Sequence, residues 1–187
     1  MGVPPVESWQ NEHRIDVLLN NPAVRFRIEQ AAQSSSRPMS AEQFLKTSGS
    51  VMGAIPGMHV AGLVTGASGW LGQRIADKSP LRVKRATSTV YSQPIGHVTV
   101  ALLCALARNS CPIQRIIQGE HGCFFEAKLP SNWQTWNGVL ACTVTSKPDG
   151  TEIEIGTTVR GQLIDYGRSR KVISTILDEV RRDSASF

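Results

Sequence analysis

Aromatic residues are scarce in this chain, at 6% of 187 residues, and none falls where positive charge is densest. Arg74, Lys78, Arg82, Lys84 and Arg85 follow one another closely, opposed by Asp77 alone and with no ring among them. Proteins that grip single-stranded nucleic acid interleave cations with stacking aromatics. That footprint is missing, so the net charge of +5 reads first as surface solubility, with nucleic acid a minor candidate partner. Paired cysteines are missing too. Cys104, Cys111, Cys123 and Cys142 form no CxxC, which removes the spacing of a thioredoxin-like or zinc-binding motif. They read as reduced, buried thiols of an intracellular protein, with the even count leaving an oxidised pair open. The charged, Pro-containing start shows no cleavable signal-peptide pattern. The expected location is the cytoplasm, with a peripheral position at a membrane as the variant.

The third absence is charge itself. From Thr47 to Gln73 the chain carries no charged residue, taking His59 as neutral, and seven glycines fall in that span: Gly49, Gly53, Gly57, Gly62, Gly66, Gly69 and Gly72. The length would cross a bilayer, but Pro56, His59 and the glycines dilute the apolar residues, so insertion at best breaks even. The pairs Gly53–Gly57 and Gly62–Gly66 have the small-xxx-small spacing that lets helices approach closely. They make this span a candidate contact segment for a protein partner, a second copy or an anionic membrane surface. The plainer reading is a glycine-rich connector.

Within the span, Thr65, Gly66, Gly69 and Gly72 spell a Thr-Gly-x-x-Gly-x-x-Gly. This resembles the phosphate-gripping turn of short-chain dehydrogenase/reductases, which implies Gly66, Gly69 and Gly72 as candidate cofactor-binding positions on a strand-turn-helix unit. The surroundings depart from that pattern. The region where an acid should hold the ribose reads RVKRATSTVY, where Arg82 or Arg85 would suit only a phosphate-bearing cofactor. Neither Tyr91 nor Tyr166 is followed by a lysine at the fourth position. The chain after the motif reads as hairpins rather than strand-helix repeats. No cofactor, metal or catalytic residue is therefore expected, and a divergent nicotinamide-dependent reductase stands as an alternative.

Regular structure begins with short helices over residues 1–46. One is expected from about Trp9 to Leu19, and a second opens at Pro22 with Val24, Ile28 and Ala31 on one face. Ser40 and Gln43 have capping-box spacing. Helices this short need something to pack against. After the segment 47–80, residues 81–187 read as strand, apolar helix, four strands and an amphipathic helix. That helix carries Val172, Ile173, Ile176, Leu177 and Val180 at helical spacing. The strands over 137–146 and 151–159 flank a Lys147-Pro148-Asp149-Gly150 turn, so the sheet is expected to be antiparallel with helices over one face: an α+β domain.

The β-α-β4-α order resembles the TATA-box-binding-protein-like fold and its helix-grip relatives, which include lipid-binding proteins. More locally, WNGVLACTVTSKPDGTEIEI and GQLIDYGRSRKVISTIL, with their Asp165-Tyr166-Gly167-Arg168 junction, are similar to small uncharacterised bacterial domains of that fold. The resemblance covers roughly residues 84–183 and implies a fold, not an activity. Arg168, Arg170 and Lys171 at the start of the last helix are a candidate interaction patch, or simply its solvated face. Glu120 and His121 could act as acid and base, and Trp133 and Trp136 could line a ligand site, but no nucleophile accompanies them. His121 with Cys123 falls short of a zinc ligand set. His97, on the apolar helix, reads as a core histidine. The expectation is a non-enzymatic binding or assembly protein, with a helix-grip carrier of an apolar ligand as the main alternative.

Overall fold

The computed structural model describes residues 9–40, 42–45, 82–130, 138–160 and 168–186; for 82–86, 158–160 and 168–169 it describes the backbone. The ordered elements are α1 (Ile15–Asn20), α2 (Pro22–Gln33), β1 (Arg82–Tyr91), α3 (Ile95–Arg108), β2 (Ile113–Gln118), β3 (Gly122–Lys128), β4 (Gly138–Lys147), β5 (Gly150–Arg160) and α4 (Arg168–Ser184). The five strands form one antiparallel sheet in the order β1-β5-β4-β3-β2, so the first strand pairs with the last. This is a mixed α+β architecture: a strand, a crossover helix, a four-strand meander, and a closing helix that returns to the sheet.

Alternation along the strands decides which face meets the helices. Leu140, Cys142 and Val144 of β4 and Ile153 and Ile155 of β5 are fully buried, while Val139, Ala141, Thr143, Glu152 and Glu154 take the other face and keep partial exposure. Pro148 and Asp149 close the β4–β5 hairpin, and Gly150 follows at φ +141°, a conformation that L-residues rarely adopt. A side chain there would also collide with the Tyr91 carbonyl, so the hairpin and the β1 end meet only over a glycine.

The centre of the molecule is α3. Every residue from Ile95 to Ala107 is buried, and its charge is confined to Arg108 at the end. A helix apolar on all sides must be enclosed on all sides. The sheet lies along one side of α3, and α2 and α4 pack on the others. Leu102, Leu103 and Leu106 are fully buried, each worth about 1.5–3 kcal/mol relative to exposure. On α4, the expected stripe is the one that docks: Ile173, Ile176, Leu177 and Val180 are buried and Val172 is packed against them.

The N-terminal helices find their packing partner in this same core. Leu18, Val24, Ile28, Ala32 and Phe44 are fully buried in one cluster with α3. Asn21 caps α2, accepting hydrogen bonds from the Ala23 and Val24 amides, and Pro22 takes the first helical position. Both bonds of the capping box form, Gln43 N–H to Ser40 Oγ and Ser40 N–H to Gln43 Oε1, each at 3.0 Å. One boundary differs from expectation. The first helix starts at Ile15, not near Trp9, because Trp9 to Asn11 form a turn in which Trp9 is buried against α3. The Gln10 carbonyl there accepts a hydrogen bond from the Gly96 amide at 2.8 Å.

Candidate functional site

The end of α3 carries a network of charged and polar side chains that ties it to α4. Arg108 Nη1 donates to Glu179 Oε2 at 2.9 Å and its Nη2 donates to Asp183 Oδ2, so one guanidinium forks across two successive turns of α4. Asn109 adds a bond from its Nδ2 to Glu179 Oε1 at 3.1 Å. Glu179 and Asp183 stand four residues apart on one face of the helix, which puts both within reach of a planar fork. Beside this clamp, α2, α3 and the end of α4 border an open cleft of about 250 Å³. Arg27, Gln30 and Ser34 enter it from α2, Cys104 and Arg108 from α3, and Asp183 from α4.

The cleft is built for polar contact rather than covalent chemistry. Burial pushes the Cys104 thiol up to about 12, so it holds its proton at neutral pH and is no nucleophile. The Arg108 guanidinium is committed to its two carboxylates, which hold it more firmly charged than usual against the cost of burial. Cys104 is expected from the sequence only as a buried thiol, and none of the other side chains is marked there as a site residue. Arg27, Cys104 and Asp183 come from three distant helices, and no local spacing links them.

The residues singled out from the sequence are scattered. Gly53, Gly57, Gly62, Gly66, Gly69 and Gly72 lie outside the described residues, as do Trp133 and Trp136. Arg168 opens α4, and Arg170 and Lys171 are exposed in its first turn, at the end of the helix opposite to the cleft. Glu120 and His121 occupy the exposed β2–β3 turn, with Oε1 and Nε2 3.8 Å apart and solvent on both, so they form no sheltered acid–base pair. His97 is a core residue, its ring 5.2 Å from that of Trp9, and burial holds it below the usual histidine value, with the Arg27 charge adding to the effect. Among the described residues no group of His, Cys, Asp or Glu is arranged to hold a metal ion, and no helix is long and apolar enough to cross a membrane.

No protein-family model and no curated protein matches the chain. Among solved structures it is similar to Ara h 8.0201, at a TM-score of 0.38 and 9% identity over 57% of this chain and 99% of that one. It is also similar to an uncharacterised protein from Rhizobium leguminosarum, at 0.35 and 11% over 57% and 96%. A third similarity is to StfQ, the di-domain ARO/CYC of the steffimycin biosynthetic pathway, at 0.36 and 10% over 64% of this chain and 55% of that one. At these scores the likenesses are resemblances, and nothing about activity follows from them.

Proposed function

We propose that this protein is a non-enzymatic interaction protein whose folded body serves as a platform and whose contacts are made at its surface. The observation that carries this reading is α3: buried over Ile95–Ala107, it packs on β4 and β5 beside α4, which itself lies against β1 and β5, so packed helices occupy the space over this face of the sheet. A helix-grip carrier of an apolar ligand needs that space for its cargo. Polar contact is left to the surface, where Arg170 and Lys171 are exposed and the three-helix cleft opens. The glycine-rich segment 47–80, uncharged as far as Gln73 and with Gly53, Gly57, Gly62 and Gly66 at close-packing spacing, supplies the contact segment for a protein partner, a second copy or an anionic membrane surface. The reductase alternative calls for parallel strands around Gly66, Gly69 and Gly72, and the described sheet is antiparallel throughout.

The test separates a platform from a carrier. The purified full-length protein is denatured in organic solvent and the extract analysed by mass spectrometry. The expected result is no small molecule at one equivalent per chain. An apolar molecule released at stoichiometry would overturn the reading in favour of the carrier.

A further inference from the structure

The two edges of the sheet are treated differently. At one edge, β2 is short and its pairing with β3 is interrupted by an irregularity between Ile113 and Arg115. Its last residue, Gln118, is tied down by side-chain bonds, accepting from the Ile15 amide at 2.9 Å and donating to the His13 carbonyl at 3.1 Å. A bulge and a covering segment are the usual ways of blunting an edge strand. At the other edge, β1 pairs with β5 in unbroken register over ten residues, from Arg82 opposite Arg160 to Tyr91 opposite Thr151. It has no bulge and no internal proline. Among the described residues no strand pairs with its far side, and Thr87, Ser88 and Val90 are exposed, Val90 at 52%. A long, straight, unblunted edge is a template for one more strand.

Charge says which strand. β1 is basic at its start, with Arg82, Lys84 and Arg85, and uncharged from Ala86 to Tyr91. The neighbouring strand β5 carries Glu152 opposite Val90 and Glu154 opposite Ser88, on the sheet face away from the helices. By alternation, positions 82 and 84 belong to that same face. If two β1 strands pair antiparallel about Ala86, position 84 of one copy falls opposite Ser88 of the other, and position 82 opposite Val90. The basic start of each strand then lies in the same cross-sheet rows as the Glu152–Glu154 pair of the other copy. Glu154 is the carboxylate in want of positive charge, since burial and the nearby Glu152 both hold its proton on more tightly than usual. The match is self-complementary, as a two-fold contact requires.

The geometry points to the free edge of β1 as a homodimer interface, where two copies of this chain join β1 to β1 in antiparallel register and extend the sheet across the two-fold axis. The inference rests on the surface-interaction reading, and the two fail separately. A stoichiometric apolar ligand in the extract removes that reading whatever the mass in solution, whereas a ligand-free monomer removes only the edge pairing.

Sedimentation velocity of the full-length protein at micromolar concentrations tests it. The wild type is expected to sediment as a dimer. Val90→Lys sets a second positive charge opposite position 82 twice per dimer and should weaken association roughly tenfold or more, while its far-UV circular dichroism stays that of the folded wild type because Val90 is exposed. Adding Arg82→Glu to Val90→Lys should restore the dimer. Thr87→Lys, exposed on the opposite face and facing position 85 in this register, provides the same test should Val90→Lys fail to fold. A monomeric wild type overturns the inference, including the case where the edge takes a strand from an unrelated acidic peptide. So does a dimer indifferent to both lysine variants.

Discussion

Gly96 touches the backbone of the turn that holds Trp9: its amide bonds the Gln10 carbonyl, and a Cβ on it would stand 2.5 Å from that same oxygen. The Trp9 carbonyl crowds the same spot, and the Trp9 ring then tilts over His97 one residue further along α3. The first described turn of the chain is thus latched to the start of its central helix.

Gly96→Ala should break this latch even though alanine is the better helix former. The new methyl meets backbone, which cannot rotate aside, so the turn or the helix start has to shift. Overpacking of this kind costs about 1–3 kcal/mol, or a fall of about 3–10 °C in melting temperature for a domain of this size. Differential scanning calorimetry gives the number, and the Trp9 environment should report the same change in near-UV circular dichroism.

His97 makes the latch sensitive to acid. Its folded-state value lies below the ordinary 6.5 because burial, and then the Arg27 charge, disfavour the imidazolium. The unfolded chain therefore binds the proton first, and stability rises with pH across the interval between the two values. Urea midpoints should hold steady between pH 7 and pH 8 and decline as the pH falls below about 6.5. In His97→Phe, which keeps a ring against Trp9, the decline over the interval just below 6.5 should be absent.

Arg108 is the second fastening, between α3 and α4. Arg108→Met removes the cation that Glu179 and Asp183 share, leaving Asp183 only the more distant guanidinium of Arg182 at 3.8 Å. Removing one partner of a buried pair costs about 3–5 kcal/mol; these side chains keep some solvent, so about 2–3 kcal/mol is expected here. Arg108→Lys should recover only part of that, since an ammonium cannot fork to two carboxylates in one plane. Urea denaturation of the three proteins at pH 7 measures both differences.

The four thiols answer in the opposite pH direction to His97. Burial pushes Cys104, Cys111 and Cys123 up to about 12, and Cys142 higher still. Unfolded cysteines ionise near 9, so the stability held below that pH is lost as the pH rises from 9 towards 12. Urea midpoints should therefore fall between pH 8 and pH 10. A thiol reagent at pH 8 should label the native protein only as fast as it opens, and all four positions at once after denaturation.

The sequence carried the fold well wherever the period of the apolar residues matched one element. Val172, Ile173, Ile176, Leu177 and Val180 mark the docking face of α4, and Leu140, Cys142 and Val144 alternate into the core as β4 requires. The Ser40–Gln43 capping box is local chemistry, and both its bonds are present. The start of α1 was not legible because the competitor is distant: the Gln10 carbonyl is used by Gly96, a partner no window around Trp9 contains. The cleft is a case of the same kind. Arg27, Cys104 and Asp183 meet only once three helices have packed, and their spacing in the chain says nothing of it.

The pairing of β1 with β5 has a consequence for synthesis. As the chain leaves the ribosome, β1 and the apolar α3 emerge long before the strand that covers the inner edge of β1, since Tyr91 waits for Thr151 and Ala86 for Gly156. Until then the sheet cannot close and Ile95 to Ala107 have no complete enclosure. Folding of this domain is therefore a late, concerted event, dominated by contacts distant in sequence and slow for that reason. The interval before β5 appears is when a chaperone that shields apolar helices would matter most.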